Sequence, residues 1–370
     1  MPLQQTMQAV VLTGHGGPEK LSVEPAWPVP TPTSDQVLIR VGACGVNNTD
    51  INTRIGWYSK AVTSDTNAGT DGFTDFDAEN ASWDGNALQF PRIQGADVCG
   101  EVVAVGSEID EDRIGERVLV RAMQPVSEHD EEPTCITFGS EMDGGFCEYA
   151  VAPAAHVLAV DSPLTDAELA SFPCAASTAL GMLERINLKA GEHILVTGAS
   201  GGVGSATIQL AKARGCTVSA VSSPAKFDFV RSLGASDVYD RDEKLPANTF
   251  DVVADLVAGA AFPSLLEALK RGGRYITAGA ISGPIVELDV RTLYLKDLTL
   301  AGSTFQPPEI FTKLIAEIEK GSLKPTVSKT YPLSNIAEAQ ADFVSKAYPG
   351  KLVLIPDSVM AQSSLSQVHH

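Results

Sequence analysis

Hydrophobic and polar positions change their pattern along the chain, and the first pattern is that of short strands. Apolar runs rich in β-branched residues occur at "QAVVLTG" (8–14) and "QVLIRVGACGV" (36–46). Similar runs follow at "GEVVAVGS" (100–107), "GERVLVRA" (115–122) and "GGFCEYAVAPAAHVLAV" (144–160). Such runs bounded by Gly and Pro are typical of buried strands. The first part of the chain is therefore predicted to be β-rich.

Helical spacing appears after Pro163, where "TDAELASFPCAASTALGMLERI" (165–186) follows a capping box of Thr165 and Glu168. Strand and helix patterns then alternate from "HILVTG" (193–198) to "LTLAGS" (298–303), which predicts a doubly wound parallel sheet. The last pattern resembles the first and ends in the strand "GKLVLIP" (350–356). We therefore predict a β-rich domain from residues 1–158 and 306–356, a parallel-sheet domain from 159–305, and a disordered tail at 357–370.

Residues 59–90 interrupt the strand pattern. The segment is rich in Asp, Asn, Thr and Gly, which favour turns, and it also contains Phe73, Phe76 and Trp83. One interpretation is a solvated insertion loop. The other is a lid over the active site or a dimer-contact loop, because the aromatic side chains need burial.

Composition limits the classes of function. A chain of 370 residues with 44% hydrophobic residues is long enough for two domains. The formal charge of -19 disfavours nucleic acid, since polyanions are bound by clustered Lys and Arg. The sequence has no apolar stretch long enough for a membrane span and no secretory pattern near Met1, so a cytoplasmic location is expected. Six scattered cysteines without a C-x-x-C pair predict thiols, not disulfides or a zinc knuckle.

A glycine-rich turn carries the first chemical signal. "ASGGVG" (199–204) stands between a predicted strand and an amphipathic helix, which is the context of a dinucleotide-binding turn. The small residues let the backbone approach a pyrophosphate, and the helix directs its N–H groups and dipole towards that charge. The turn therefore predicts a bound dinucleotide.

The end of the next strand indicates which dinucleotide. An NAD site usually has Asp or Glu there, about 20 residues after the turn. This chain has Ser222 and Ser223, followed by Lys226. Two hydroxyls and a cation can bind a 2'-phosphate, so NADPH is the predicted cofactor; the alternative for Lys226 is a solvated helix lysine.

The motifs taken together resemble the medium-chain dehydrogenase/reductase superfamily, within it the zinc-independent quinone oxidoreductase group related to ζ-crystallin. The residues that carry this resemblance are "ACGVNNTD" (43–50), "IQGADVCGEVVAVG" (93–106), "GGFCEYAVAP" (144–153), "ASFPCAASTAL" (170–180), the glycine turn and "GKLVLIP". The resemblance implies a GroES-like catalytic domain with a Rossmann cofactor domain. It implies cofactor contacts by Thr178, Ala199, Ser200, Gly201, Gly202, Val203, Gly204, Ser222, Ser223, Lys226 and Lys351.

Zinc members of that superfamily have Cys, His and Cys ligands in these motifs. The first two positions correspond to Asn47 and Ala96 here, and only Cys174 matches the third. One thiolate does not make a tetrahedral site, so no metal is expected. Cys174 is interpreted as a packed thiol or as a residue lining the site.

Catalytic candidates follow from the same resemblance. Asn47 corresponds to an Asn beside the nicotinamide ribose and the substrate, although it can equally be a turn-capping residue. A tyrosine common in the group is replaced by Asn52, and Tyr58 is the nearest substitute donor or else a rim aromatic. Asp50 is expected to orient Asn48 or a backbone group, or to cap the turn. For Thr178, helix packing is the alternative to a cofactor contact.

The sequence thus predicts an NADPH-dependent, metal-independent reductase of a quinone or an α,β-unsaturated carbonyl compound. Two alternatives stay open, an enoyl-thioester reductase and an NADPH-binding protein with little turnover. Proton delivery is expected from solvent, because His15, His129, His156 and His193 lack partner signals. A homodimer is expected through the edge strand "LTLAGS".

Overall fold

The computed structural model describes residues 4–125 and 135–367, which fold as two units. The described residues of the first unit come from Met1–Val62, Gly69–Cys174 and Val327–His370. Those of the second unit come from Thr63–Ala68 and Ala175–Thr326. Within the described ranges, no helix combines the length and apolar character needed to cross a membrane.

Strands in the first unit are short and mostly antiparallel. They are β1 (Thr6–Leu12), β2 (Leu21–Pro28), β3 (Gln36–Gly45), β4 (Arg92–Ile93), β5 (Asp97–Val105), β6 (Arg117–Val120), β7 (Met123–Pro125), β8 (Cys135–Thr137), β9 (Tyr149–Pro153), β10 (Val157–Ala159), β17 (Val327–Pro332) and β18 (Lys351–Ile355). The main sheet has the order β10-β6-β5-β3-β18-β17, with β9 also on β3, and a second sheet has the order β2-β1-β4. Their inward residues form one apolar core.

The second unit contains a parallel sheet. Its strands are β11 (His193–Val196), β12 (Thr217–Val221), β13 (Asp237–Tyr239), β14 (Phe250–Asp255), β15 (Leu269–Thr277) and β16 (Thr299–Gly302). The order β13-β12-β11-β14-β15-β16 is that of a doubly wound dinucleotide sheet, which reverses between β11 and β14. The predicted fold class, a GroES-like domain with a Rossmann domain, is confirmed.

The helices complete both units. They are α1 (Asn48–Ile55), α2 (Asp166–Leu169), α3 (Pro173–Arg185), α4 (Gly202–Ala213), α5 (Phe227–Ser232), α6 (Phe262–Ala268), α7 (Val290–Leu295), α8 (Pro308–Glu319), α9 (Ile336–Ser345) and α10 (Asp357–Gln367). Helix α4 is buried on all sides from Gly204 to Ala211, whereas α8 buries positions with helical spacing such as Phe311 and Leu314.

The division between the units differs from the predicted boundaries at 158/159 and 305/306. The second unit continues to Thr326 because α8 is bound to it: Lys313 forms an ion pair with Glu184 at 2.8 Å, and the Gln209 amide accepts the Lys324 N–H at 2.8 Å. The segment before Cys174 belongs to the first unit, where Asp166 pairs with Arg117 at 2.6 Å.

The disordered tail predicted at 357–370 is a helix as far as Gln367. Its first residue, Asp357, accepts hydrogen bonds from Gln8 Nε2 at 3.0 Å and from the Ser334 N–H at 3.1 Å, which attach the helix to the first unit. Sequence pattern alone did not reveal these contacts because the helix has little amphipathic character. Residues 368–370 lie outside the described residues.

Candidate active site

Three strand ends of the first unit meet at a buried polar cluster. Strand β18 pairs with the end of β3 through Val353 and Gly45, and β5 pairs with the same end through Asp97 and Gly45. Lys351 at the start of β18 and Asn47 just beyond β3 are therefore brought beside Asp97. Strand register therefore places Lys351 beside Asp97, and Asn47 joins them from the short loop between β3 and α1.

Lys351 is the centre of this cluster. Its ammonium donates hydrogen bonds to Asp97 Oδ2 at 2.7 Å, Asn47 Oδ1 at 2.6 Å and the Val46 carbonyl at 2.8 Å. Each of the three ammonium hydrogens therefore has an acceptor, and Lys351 is only 2% exposed. The cofactor contact expected for Lys351 stays a prediction, and this geometry gives the side chain a role inside the first unit.

The Asn47 side chain is fixed at both ends. Its amide nitrogen donates to Asp97 Oδ2 at 2.8 Å and to the Gly45 carbonyl at 3.4 Å, while its oxygen accepts from Lys351. Asn47 is also the N-cap residue of α1. Both amide hydrogens are used within the protein, which matches the turn-capping alternative; the substrate contact of Asn47 stays a prediction.

Asp50 caps the same helix. Its Oδ2 accepts the backbone N–H of Asn47 at 2.7 Å, the backbone contact expected from the sequence. Burial raises the pKa of Asp50 to about 7, although the Asn47 N–H and the nearby Lys351 charge oppose that rise. The carboxyl group is 2% exposed, so it acts on α1 and not on solvent.

Tyr58 lies just after α1, and its side chain folds back against that helix. Its hydroxyl donates to Thr49 Oγ1 at 3.2 Å, and the nearby Asn52 side chain lowers its pKa. Residues 49 and 52 are three apart on the helix and therefore share a face. Burial raises the pKa of Tyr58 well above its usual range, so the phenol keeps its proton. Position 52 thus lacks a tyrosine of its own, but the phenol of Tyr58 lies beside Asn52.

The insertion at 59–90 is packed and not simply solvated. The Trp83 ring contacts the Tyr58 ring edge to face at 5.0 Å, and Phe76 contacts His15 at 5.1 Å. The Glu141 carboxylate accepts a hydrogen bond from the backbone N–H of Trp83 at 3.0 Å and so fixes this end of the insertion to the first unit. Residues Thr63–Ala68 fold with the second unit, where the Thr66 N–H donates to the Ile281 carbonyl at 3.3 Å.

Cys174 adjoins the polar cluster. Its backbone N–H donates to Asp97 Oδ1 at 2.5 Å, and its side chain is partly exposed. Burial, followed by the Asp97 charge, raises the pKa of the thiol far above its usual value. The thiol is therefore neutral at physiological pH in the metal-free protein.

A zinc ion does not fit the side chains at the expected ligand positions. Asn47 presents an amide already bonded to Lys351, and Ala96 has only a methyl group. The Lys351 ammonium already neutralises the Asp97 carboxylate. Among the described residues, no group of three or more His, Cys, Asp or Glu side chains is arranged to hold a metal ion.

The predicted phosphate turn joins β11 to α4 in the second unit. Gly198 has φ +57, in the left-handed region, and the Gly201 N–H closes the turn onto its carbonyl at 3.0 Å. A Cβ on Gly204 would lie 2.4 Å from that carbonyl, so the third glycine permits close packing of α4. Gly201 is exposed, and a Cβ there meets only the Gly198 carbonyl, at 3.4 Å. The open backbone fits a pyrophosphate.

A buried carboxylate organises the same edge of the sheet. Asp255, at the end of β14, accepts hydrogen bonds from Thr197 Oγ1, from the Tyr275 hydroxyl at 2.6 Å and from the Val257 N–H at 3.0 Å. It also accepts the N–H of Ala258, whose φ of +56 is unusual for a residue with a side chain. Asp255 therefore fixes the loop that follows β14 beside the glycine turn.

The end of β12 has the features of a phosphate site. The Ser222 hydroxyl is buried and has no hydrogen-bond partner among the described residues, while Ser223 is partly exposed. Burial and the nearby Arg241 charge lower the pKa of Lys226, so two cations lie close together here. These residues fit a 2'-phosphate, and Arg241 was not identified from the sequence because it follows β13.

Thr178 lies on α3, and its hydroxyl accepts a hydrogen bond from Gln306 Nε2 at 3.3 Å. Both residues belong to the second unit. The contact agrees with helix packing, which was the alternative interpretation of Thr178. Its cofactor contact stays a prediction. Ala199 is fully buried, whereas Ser200, Gly202 and Val203 are partly exposed along the turn.

The described histidines have structural contacts. His15 Nδ1 lies 2.8 Å from the Thr53 carbonyl, and His193 Nε2 lies 2.8 Å from Ser219 Oγ. Burial lowers the pKa of both. His156 is 8% exposed. His129 lies outside the described residues.

Known families match both units. Residues 33–162 match the family described as "Alcohol dehydrogenase GroES-like domain", and residues 202–320 match "Zinc-binding dehydrogenase". The quinone oxidoreductase of Mus musculus is 30% identical over 95% of this chain and 98% of its own. The NADPH-dependent alkenal/one oxidoreductase of Arabidopsis thaliana, a chloroplast protein, is 29% identical over 96% of this chain and 81% of its own.

A solved structure is similar as well. It is that of a protein assigned as an alcohol dehydrogenase from Sinorhizobium meliloti 1021, with 44% identity and a TM-score of 0.87 over 96% of this chain and 98% of that one. The chain therefore belongs to the medium-chain dehydrogenase/reductase superfamily, in its quinone oxidoreductase group. This confirms the resemblance. Membership implies an oxidoreductase with a nicotinamide cofactor and a small-molecule substrate.

Proposed function

We propose that the protein is an NADPH-dependent reductase that delivers hydride to a quinone or an α,β-unsaturated carbonyl compound without a metal ion. The observation that carries this proposal is the Lys351–Asp97–Asn47 cluster, which replaces zinc ligands by an internal ion pair. A simple alcohol needs a Lewis acid for its alkoxide, whereas a conjugated acceptor is already activated. The names of the mouse and Arabidopsis relatives agree with this substrate class.

The choice of NADPH over NADH rests on the end of β12. Ser222 offers a buried hydroxyl without a partner among the described residues, and Lys226 and Arg241 supply two positive charges. A 2'-phosphate accepts hydrogen bonds from such groups, and its charge is favoured by them. A carboxylate in place of Ser222 would favour NADH instead.

The chain's own residues bind and orient the reactants. When bound, a reduced nicotinamide supplies hydride. The Gly198–Gly204 turn and the first turn of α4 bind the pyrophosphate through backbone N–H groups. Asp255 fixes the following loop at the same edge of the sheet. In the first unit, hydroxyl donors on α1 stabilise the oxyanion that develops on the substrate.

Turnover of a substrate panel tests this function. Purified protein is mixed with NADPH and, separately, 1,4-benzoquinone, 9,10-phenanthrenequinone, a simple enone or crotonyl-CoA, and with NADP⁺ and a simple alcohol. Oxidation of NADPH by a quinone or enone is expected. Alcohol oxidation that a chelator abolishes would refute the metal-independent mechanism, and a preference for crotonyl-CoA would favour an enoyl-thioester reductase. Binding of NADPH with no turnover of any compound would indicate a cofactor-binding protein.

We also propose a homodimer formed through β16. This strand ends the parallel sheet, so one of its edges can pair with a second copy. The segment before it exposes large apolar side chains, including Ile285 at 68%, Tyr294 at 60% and Leu295 at 61%. Sedimentation is expected to give a dimer for the natural protein and a monomer for the Tyr294→Asp, Leu295→Asp double variant. A natural protein that sediments as a monomer would refute the dimer.

A further inference from the structure

We propose that His15 makes the attachment of the insertion at 59–90 sensitive to pH. The neutral imidazole holds Phe76 and Phe90 of the insertion, and protonation of the ring releases them. All three residues belong to the first unit. The inference concerns the order of the insertion and does not depend on the proposed reaction.

The His15 ring is packed between the two phenyl rings. Its centroid lies 5.1 Å from that of Phe76, with 78° between the ring planes, and 5.0 Å from that of Phe90, with 89° between the planes. Both contacts are edge to face, which is a favoured geometry for aromatic pairs at this separation. One imidazole therefore joins two separate parts of the insertion to the loop after β1.

Hydrogen bonding determines where the neutral ring carries its proton. His15 Nδ1 lies 2.8 Å from the Thr53 carbonyl oxygen. Because a carbonyl oxygen only accepts, the hydrogen is on Nδ1, and Nε2 carries a lone pair. Nε2 is buried and has no hydrogen-bond partner among the described residues. A second proton would create a charged N–H donor there without an acceptor in that part of the chain, which is costly.

The end of α1 acts on this charge in two opposite ways. Burial lowers the pKa of His15, whereas the Thr53 and Arg54 carbonyls at the end of the helix oppose that change. The Arg54 guanidinium donates to the carbonyl of the next residue, Gly16, at 2.7 Å. A protonated His15 would thus add a positive charge next to a residue that already contacts a buried cation.

The other charged groups on the surrounding elements leave Nε2 without an acceptor. Glu19 accepts the Gly17 N–H at 3.1 Å, and Asp50 caps the opposite end of α1. Arg92 of β4 pairs with Asp143 at 3.0 Å. The remaining groups are Lys20 on the same loop and the exposed Asp71, Asp75 and Asp77 of the insertion, whose charges are screened by solvent.

Few other contacts hold this part of the insertion, so the ring packing matters to its order. The Asp77 N–H donates to Ser59 Oγ at 2.9 Å, and the Phe73 N–H donates to the Ile55 carbonyl at 3.4 Å. The Phe76 ring also covers Gly56, where a Cβ would lie 2.8 Å from it. Release of Phe76 and Phe90 is therefore expected to expose the backbone amides between them.

The sign of the pH effect follows from the lowered pKa. Attachment is strongest above the reference value of 6.5 and weakens as the pH falls below it, because the released ring binds a proton more tightly. A single proton limits the change in the opening equilibrium to about tenfold per pH unit. Asp50, whose pKa is raised, titrates in the same range with the opposite sign.

Amide hydrogen exchange of the full-length protein tests the inference. Protection factors, which remove the intrinsic pH dependence of exchange, are measured at Asp77 and Asn80. They should fall by roughly 3- to 10-fold between pH 7.5 and pH 5.5, while those of β11 should not. Equal protection of Asp77 and Asn80 at the two pH values would overturn the proposal.

Two variants separate His15 from every other group that titrates. His15→Gln keeps a donor for the Thr53 carbonyl, and His15→Phe keeps an aromatic ring; neither titrates, so both should lose the pH-dependent fall. His193→Gln is the matched control, because His193 also has a lowered pKa but belongs to the second unit, and it should keep the natural fall. A fall of natural size in His15→Gln, or an NMR titration that gives His15 a pKa of 6.5 or higher, would overturn the assignment.

Discussion

Lys351 and Asp97 form a buried ion pair, with 2.7 Å between Nζ and Oδ2 and side-chain exposures of 3% and 0%. The pair joins the first residue of β18 to the first residue of β5. Each partner also contacts the Asn47 amide, so the pair fixes the loop that leads into α1. A buried pair of this kind gives positional order more than net stability, because both charges lose their hydration.

Replacing one partner of this pair should destabilise the protein much more than replacing both. Lys351→Met should lower the free energy of unfolding by about 3–5 kcal/mol, since it leaves the Asp97 carboxylate buried and uncompensated. The Lys351→Met, Asp97→Asn double variant should recover most of that loss. Urea denaturation near neutral pH measures both.

The exposed pair of Arg40 and Glu101 is the matched control, with side-chain exposures of 52% and 46%. Arg40→Met should cost less than about 1 kcal/mol. A Lys351→Met variant as stable as Arg40→Met would contradict the structural role of the buried pair.

Because the pKa of Asp50 is raised in the folded protein, the free energy of unfolding should depend on pH. Burial raises its pKa to about 7 from a reference of 3.8, so the folded state binds a proton more tightly than the unfolded state. Its contribution to stability is complete below about pH 4 and is lost as pH rises to about 7, at no more than about 1.4 kcal/mol per pH unit. Asp50→Asn keeps an acceptor for the Asn47 N–H and does not titrate. Its stability relative to the natural protein should therefore increase from about pH 4 to pH 7, and a constant difference would argue against the raised pKa.

The glycine turn predicts two different outcomes for two glycines. Gly201 has an ordinary backbone conformation and open space, so Gly201→Leu should fold with unchanged stability but lose NADPH binding. A Cβ on Gly204 would lie 2.4 Å from the Gly198 carbonyl, so Gly204→Val should destabilise the second unit. Thermal unfolding and NADPH fluorescence titration separate the two effects. Intact NADPH affinity in Gly201→Leu would show that the turn does not hold the pyrophosphate.

The preference for NADPH over NADH should depend on Lys226 and Arg241, the two cations that follow β12 and β13. Lys226→Ala and Arg241→Ala are each expected to weaken NADPH by roughly 10- to 100-fold and to leave NADH almost unchanged, because only NADPH carries the 2'-phosphate. Ser222→Asp should in addition strengthen NADH. The exposed Lys244 supplies a control in Lys244→Ala, which should change neither affinity. Equal effects on both cofactors would remove these residues from the phosphate site.

Features with a local sequence signature could be predicted. The glycine turn, the alternating strands and helices, and the capping box at Thr165 and Glu168 each depend on neighbours within a few residues, and the structure contains all three. Long-range pairs could not be predicted in this way. Lys351 and Asp97 are 254 positions apart, and only the register of β18 and β5 on β3 brings them together. The return of Tyr58 onto Thr49 likewise depends on Gly56 and Trp83, which no periodic pattern reveals.

Glu141 attaches the insertion at 59–90 to strand β8. Its Oε1 accepts the Trp83 N–H at 3.0 Å, and its Oε2 accepts the Thr137 N–H at 2.7 Å, so one side chain joins the insertion to the end of β8. Glu141→Ala removes both acceptors and should accelerate amide hydrogen exchange at Trp83 and Asp84 by roughly 10-fold or more, since each lost bond to a charged group is worth about 1.5–3 kcal/mol. Exchange in the parallel sheet should not change.

The same substitution should also reach the Tyr58–Thr49 pair through the Trp83 ring. We expect Glu141→Ala to lower kcat while leaving the NADPH affinity unchanged, because the phosphate turn lies in the other unit. Glu101→Ala, at an exposed carboxylate of the first unit, is the control and should alter neither quantity. If exchange at Trp83 accelerates but kcat stays constant, the insertion is anchored by Glu141 without positioning Tyr58.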